Sequence, residues 1–413
     1  MHHAIDESDP NYYAMVYNGI IRDERYRDLL AVQQGNGGGI ARINILDSTL
    51  REGEQHPGVS FTVKQRVQIA WMLDYFGVDQ IEISPVISED HRQATKMIID
   101  AGLSADIVAH CRAVRQDIDV ALACDAEWVA TYMSVSDVQL RSKLRIGRDE
   151  AYARAMDVVD YIRAHGLKAR FTLEDASRAE PVFLAKIARD ISRAGIDRIS
   201  IPDTVGIMLP KGMYRLVSMV RAGIDQGRTR LDLHCHNDLG LALANALAGI
   251  DAGADQIHAT IDGIGERNGI PALAEVAVIS TVLYRCRDDL RLDMLKDLSR
   301  LIEQYTGIET PESKPIVGES AFKHKAGTHL AAVLRDPRAY EVIEPRMVGN
   351  RRRIVFGELA GKNGAAFLLS ILGLEVDAVK AEKLAKGLKG LRLGDVLEMY
   401  LDDTMEERIR QTT

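Results

Sequence analysis

A chain of 413 residues, 46% hydrophobic and 27% charged, is long enough for a barrel-sized unit plus an appendage and has an ordinary globular composition. Its net charge of −8, from 52 basic against 60 acidic residues, leaves no basic footprint for nucleic acid. No apolar run reaches membrane-spanning length, Met1-His2-His3-Ala4-Ile5-Asp6-Glu7 lacks a signal-peptide core, and the scattered Cys111, Cys124, Cys235 and Cys286 fit a reducing compartment, so a cytoplasmic protein is expected.

Residues 1–40 place Tyr12, Tyr13, Tyr17 and Tyr26 in a polar setting and end in Gly35-Asn36-Gly37-Gly38-Gly39, which reads as an N-terminal arm with a flexible joint. From 41 to 285, strand-like and helical patterns alternate. Strands are expected near 42–47, 79–84, 105–110, 127–133, 168–174, 198–203, 230–236 and 256–262, with helices such as Val63–Tyr75 and Glu150–His165 between them. A short phrase recurs in this region: Gly77-Val78-Asp79-Gln80-Ile81, Gly195-Ile196-Asp197-Arg198-Ile199 and Gly253-Ala254-Asp255-Gln256-Ile257. Each glycine should close a helix in a left-handed cap, with a strand starting about three residues later. Eight such βα units predict an α/β fold, a (β/α)8 TIM barrel. The rival, an open doubly wound sheet, would want a Gly-x-Gly-x-x-Gly after the first strand, and none is there. Beyond the barrel the chain is expected to form small, mostly helical C-terminal subdomains. These are a linker subdomain over 286–345 and a helical one over 346–413, with helices at Ala378–Lys389 and Gly394–Leu401.

The chemistry should gather where strands end, because barrel sites lie at the C-terminal face. His234-Cys235-His236 closes the seventh strand, and strand alternation sends His234 and His236 to one face. Two imidazoles there can share a divalent cation if a carboxylate joins them, and Glu52, after the first strand, supplies one. Taken alone, a His-x-His pair is as readily two ordinary histidines. The set Glu52, His234 and His236 leaves open positions on an ion of Mg²⁺, Mn²⁺, Co²⁺ or Zn²⁺ type, suited to a chelating 2-oxo acid whose ketone it would polarise. Arg51, beside Glu52, is placed to steady an alkoxide, although an isolated arginine is more often a surface ion pair. Arg170, Thr172 and Glu174 alternate on the fifth strand and so share a face, and His110 ends the third. Arg170 and His110, with Thr172 as a further donor, could grip a distal carboxylate; the competing reading for Arg170 is an ion pair with Glu82 or Glu174.

The runs Asp47-Ser48-Thr49-Leu50-Arg51-Glu52-Gly53-Glu54-Gln55, His234-Cys235-His236-Asn237-Asp238 and Gly263-Ile264-Gly265-Glu266-Arg267-Asn268-Gly269 resemble the metal-dependent, acyl-CoA-condensing barrels. That family comprises the homocitrate, isopropylmalate and citramalate synthases, and the likeness runs from about residue 42 to 370. It implies a Claisen-type condensation of acetyl-CoA with a 2-oxo acid, one divalent metal, and a homodimer whose sites are completed across the interface. Residue by residue, it implies Glu52, His234 and His236 as metal ligands and Arg51 as oxyanion stabiliser. Gln55 and Thr204 match substrate contacts, and Glu174 an acidic group near the acetyl unit. Glu319 to His329 resembles a segment reaching the partner's site, which makes His329, and more weakly Tyr340, proton-transfer candidates. Read without the family, His324 and His329 are two loop histidines. Ile270 stands where isopropylmalate-type enzymes tend to carry Asn, so the likeness leans to the homocitrate type, to 2-oxoglutarate and to lysine biosynthesis. The chain also leaves little room for the regulatory domain of many isopropylmalate synthases. Arg351-Arg352-Arg353 and Lys362 are candidate phosphate contacts for coenzyme A, with a solvated charge run as the blander reading.

Other readings differ in one feature each. A metal-dependent hydrolase usually carries His-x-His after the first strand. A two-histidine, one-carboxylate iron oxygenase prefers an all-β scaffold. A binding barrel would hold the ligands without releasing CoA, and a lyase would run the carbon–carbon chemistry backwards.

Overall fold

The computed structural model describes residues 42–357, 359 and 361–389, and the backbone of Leu397–Tyr400. The N-terminal arm expected over residues 1–40 lies outside the described residues. The chain divides into two compact units: Gln33–Arg291 with Leu298–Ile308, and a second that takes Leu292–Asp297 and the chain from Glu309 onward.

Strands β1 (Asn44–Asp47), β2 (Gln80–Ile83), β3 (Asp106–Arg112), β4 (Trp128–Ser134), β5 (Lys168–Glu174), β6 (Arg198–Asp203), β7 (Arg230–Cys235) and β8 (Gln256–Ala259) form the first unit's closed barrel in sequence order. Every pair is parallel, and β1 closes on β8 through Leu46↔His258. The expected TIM barrel is therefore present. Helix α1 (Val63–Phe76) begins at Thr62, whose hydroxyl accepts from the Gln65 amide while Gln65 Oε1 accepts from the Thr62 amide. That capping box fixes where the first long loop ends. Gly77, Gly195 and Gly253 carry φ of 104°, 91° and 98°, so all three repeats close in the left-handed cap.

Two layers form the core. Outward strand residues such as Ile45, Ile83, Phe171, Ile201 and Leu233 are fully buried under helix residues such as Ile69, Leu73, Ile187 and Val217. Each such side chain contributes roughly 1.5–3 kcal/mol by leaving water. Inside the barrel, Leu46, Val108, Trp128 and Ala130 make a small apolar cluster. Around it the lumen is polar: Gln256 Nε2 donates to Gln80 Oε1 at 2.9 Å, and Arg198 Nε donates to Asp232 Oδ1 at 2.8 Å. Buried charge of this kind persists only when paired, and these groups are.

The second unit is mostly helical, as expected, and adds a small sheet that the helical reading did not include. Helices α2 (Gly327–Val333), α3 (Gly361–Ile371) and α4 (Ala378–Leu388) pack with a three-stranded sheet of β9 (Lys323–His324), β10 (Arg353–Phe356) and β11 (Leu397–Tyr400), ordered β11-β10-β9. Leu330, Ile354, Phe356, Leu368 and Leu388 belong to its core. Parallel pairing of β9 with β10 carries the sheet across the division placed at 345/346. Part of the segment read as a helix over 394–401 is instead the strand β11, antiparallel to β10. A four-residue strand lacks the length to show a period, and its pairing partner lies some 45 positions upstream, so local pattern misassigns it. Among the described residues no helix is long and apolar enough to cross a membrane.

Candidate metal and substrate site at the barrel mouth

The loop after β1 is tied down by its own backbone. Ser48 O accepts from the amides of Arg51, Glu52 and Gly53 at 3.0, 2.7 and 3.1 Å. Asp47 Oδ1 accepts from the Thr49 amide, and Glu54 accepts from the Phe61 amide and twice from the Arg66 guanidinium. Glu52 is thereby fixed at 1% exposure, its Oε1 taking the Glu266 amide at 2.9 Å and its Oε2 taking Arg51 Nη1 at 2.6 Å. A Cβ on Gly265 would come within 2.8 Å of Glu52 Oε1, so only glycine lets the loop after β8 approach that carboxylate.

His234 lies within β7 and His236 just past its end, with ring centroids 5.1 Å apart. His234 Nε2 is 3.8 Å from Glu52 Oε2, and the ligand atoms of Glu52, His234 and His236 all lie within 4.8 Å of one another. All three residues are buried. Burial, with Arg51 as the next cause, holds His234 well below the ordinary histidine range. Burial likewise depresses His236, against the opposing pull of Glu52. Both rings are thus neutral at physiological pH, which would spare a cation competition from protons. His236 Nδ1 is buried without a hydrogen-bond partner among the described residues. A carboxylate, two neutral imidazoles and an orphaned ring nitrogen fit a divalent ion.

The mouth holds a cavity of about 290 Å³. Arg51, Glu52, Gln55, His110, Arg170, Thr172, Glu174, Thr204, His234 and His236 all line it, so ten of the twelve residues singled out in the sequence converge there. Thr204 Oγ1 accepts from the Asp175 amide at 2.9 Å, which leaves its proton to offer. Glu174 accepts from Ser134 Oγ at 2.5 Å and pairs with Lys143 Nζ at 2.7 Å. Glu82 anchors the floor: it accepts from Ser48 Oγ at 2.5 Å, from Arg51 Nε at 2.7 Å, and from Arg170 Nη2. Although burial opposes it, Arg170 and Arg51 hold Glu82 well below the carboxylate range. The competing reading of Arg170 is therefore realised, since its guanidinium is paired with Glu82. Its Nε nonetheless remains buried and unpartnered among the described residues, as does Ser200 Oγ. His110 stacks on Tyr132 with centroids 5.1 Å apart, and burial with Arg51 nearby pushes it down to about 3.

The other two candidates, His329 and Tyr340, lie in the second unit. His329 is exposed on α2, and its ring stacks on Tyr340 at 3.9 Å. His324, read as a loop residue, is instead in β9 and meets Glu341 at 3.0 Å. Arg352 is buried in ion pairs with Glu341 and Glu344, and Arg353 is buried against Glu319, so neither presents the expected phosphate patch; Arg351 alone of the three is exposed. Lys143, Tyr132, Ser200 and His258 line the cavity but were missed. Alternation from Trp128 and Gln256 could have found Tyr132 and His258. Lys143 sits in a π-helical turn (Leu140–Leu144) that no sequence period announces.

A family model described as HMGL-like matches residues 42–302. The chain belongs to that family. A second model, homocitrate synthase post-HMGL domain-like, matches residues 316–394. Homocitrate synthase AksA of Methanopyrus kandleri is 42% identical over 89% of this chain and 91% of its own length. A probable 2-isopropylmalate synthase of the same organism is 43% identical over 86% and 70%. Homocitrate synthase of Pyrococcus abyssi is 43% identical over 83% and 94%. In structure, a hydroxymethylglutaryl-CoA lyase from Pseudomonas aeruginosa overlays with a TM-score of 0.58 at 20% identity, covering 65% of this chain and 95% of its own, which carries the fold alone. The protein is thus an HMGL-like enzyme of the homocitrate and isopropylmalate synthase branch, which joins an acyl-CoA to a 2-oxo acid. The buried Glu52, His234 and His236 fit a divalent site in such an enzyme.

Proposed function

We propose that the chain condenses acetyl-CoA with 2-oxoglutarate and water, giving homocitrate and CoA. The observation that carries the substrate is the side of the cavity lined by His110 of β3, Arg170 and Thr172 of β5, and Lys143 from the turn that follows β4, a set of donors and cations. A branched aliphatic tail would desolvate these groups without engaging them, the unpartnered Arg170 Nε included, whereas a second carboxylate meets them. Ile270, in place of the Asn of isopropylmalate-type enzymes, supports the same choice.

Glu52, His234 and His236 would hold the divalent ion, which supplies Lewis-acid polarisation of the ketone when bound. Thr204 donates its hydroxyl to the 1-carboxylate, and Gln55, which lines the same cavity, is a further substrate contact. Arg170 and His110 hold the distal carboxylate, with Thr172 adding a donor. Glu174 lies on the acetyl side. A methyl proton of acetyl-CoA leaves to a base, for which His329 of a second copy, backed by its stacked Tyr340, is our assignment. The methyl carbon forms a bond to C2 of the oxo acid while the C=O π pair moves onto oxygen. Arg51, held in place by Glu82 and Glu52, stabilises that charge until it takes a proton. Water then attacks the thioester, the C–S bond breaks, and the thiolate leaves with a proton as CoA. This assignment makes the working form a homodimer.

The test is thiol release by the purified protein with Mg²⁺ or Mn²⁺, acetyl-CoA and a panel of 2-oxo acids. 2-Oxoglutarate should be turned over fastest, ahead of 2-oxoisovalerate, pyruvate and oxaloacetate. A win for 2-oxoisovalerate favours the second reading, an isopropylmalate-type condensation, which the 43% identical relative supports and for which Arg170 would serve only as the partner of Glu82.

A further inference from the structure

Beneath His234 lies another imidazole, His258, which neither the metal set nor the substrate contacts employ. It stands on β8, facing the lumen, and is 1% exposed. Three groups reach it. His234 Nδ1 is 3.2 Å from His258 Nδ1. Arg170 Nη1 is 3.2 Å from His258 Nε2, and Asp232 Oδ2 is 3.5 Å from the same nitrogen. Asp232 is itself held by Arg198.

A neutral imidazole has one N–H and one lone pair, so Nε2 serves one of its two neighbours at a time. A guanidinium can only donate. Facing Arg170, His258 Nε2 accepts, its proton sits on Nδ1, and that proton is donated to His234 Nδ1. The His234 proton is then on Nε2, the nitrogen that looks toward Glu52. An ionised carboxylate can only accept. Facing Asp232, His258 Nε2 donates, Nδ1 becomes the acceptor, and His234 donates to it from Nδ1. His234 Nε2 then offers a lone pair toward Glu52. One backbone thus carries two proton arrangements, and only the second lets His234 ligate through Nε2.

We propose that His258 is a positioning residue that sets which nitrogen of His234 carries the proton, and that it links His234 to the engagement of Arg170. A ligand carboxylate that takes Arg170 Nη1 leaves His258 to Asp232 and prepares His234 as a ligand. In the exchange, the His258 Nδ1 proton passes to His234 Nδ1, the His234 Nε2 proton is released, and His258 Nε2 takes one up, so each ring ends with one proton. The inference rests on the reading of Glu52, His234 and His236 as metal ligands. By linkage, tighter carboxylate binding at Arg170 means tighter cation binding at His234.

Calorimetric titration with MnCl2 tests it on the wild type, His258→Asn, His258→Phe and Arg170→Met. Asn keeps an acceptor for the His234 Nδ1 proton and should stay within a few-fold of wild type, whereas Phe should weaken Mn²⁺ binding roughly 10–100-fold. Arg170→Met removes the competing donor and should tighten binding a few-fold. Phe binding as tightly as wild type overturns the positioning role, and Arg170→Met without tightening overturns the link to Arg170. Nitrogen-15 spectra of the wild-type protein loaded with Zn²⁺ need no variant to fold. They should show the proton on Nδ1 of His234 and Nε2 of His258, and the reverse placement on His258 overturns the inference. A wild-type protein that binds no Mn²⁺ at all overturns the metal reading itself, and this inference with it.

Discussion

The two sides of the barrel mouth are built on opposite electrostatic plans. On the β1, β7 and β8 side, one carboxylate faces two rings that burial keeps neutral, and the acid is held by a backbone amide and Arg51. What this side offers beyond the Arg51 pair is ring nitrogens, with His236 Nδ1 lacking a partner among the described residues. On the β3 and β5 side, Arg170 is already matched by Glu82, and burial with Arg51 nearby keeps His110 neutral at physiological pH. A divalent cation would complete the first side. Under the proposed function, the second side discriminates by how readily Arg170 and its neighbours turn from Glu82 to a ligand. On the same reading, one half carries the reaction class and the other the choice of substrate.

Damage to the first side should be the most severe. Glu52→Gln removes the only carboxylate of the metal set, and we expect turnover to fall by about 10³-fold or more with Mn²⁺ binding lost in calorimetry. Retained binding would break the contrast between the halves. Next comes the floor that both halves share. Glu82→Leu leaves Arg170 and Arg51 without their common carboxylate, and breaking a buried pair from one side costs about 3–5 kcal/mol. Urea unfolding should report that loss; a change under 1 kcal/mol would mean the pair is not a support.

On the second side the effect should be selective. Arg170→Ala should lower kcat/KM for 2-oxoglutarate by roughly 10²-fold, with a much smaller change for 2-oxoisovalerate. Equal losses for both acids would reduce Arg170 to a structural role. The mildest test concerns Asp47, whose carboxyl burial pushes up to about 7, against hydrogen bonds from Thr49. Its folded pKa lies above the unfolded value of 3.8, so the folded state binds more protons between the two. Stability should fall as pH rises from about 4 to about 7 and then level off, by at most about 4 kcal/mol. Asp47→Asn should flatten that slope in denaturation curves recorded across the range.

The barrel was legible because its signals are local: glycine caps at Gly77, Gly195 and Gly253, and alternation along β5 and β7. Convergence of Glu52 with His234 and His236 followed from a single rule, that strand ends share a face. What sequence hid was pairing. The sequence offered Glu82 and Glu174 alike as partners for Arg170, and nothing local says that Glu82, 88 positions earlier, is the one that claims its guanidinium. Arg352 and Arg353 read as a surface charge run because Glu341, Glu344 and Glu319 are brought to them only by the fold of the second unit. Lys143 was passed over because its turn has no period of its own.

The central claim is that Glu52, His234 and His236 hold one divalent cation, and anomalous diffraction from crystals grown with Mn²⁺ addresses it most directly. A single strong peak should lie about 2.0–2.3 Å from one Glu52 oxygen and from one nitrogen of each imidazole. A Mn²⁺-dependent enzyme whose anomalous peak lies away from these three side chains would contradict the account.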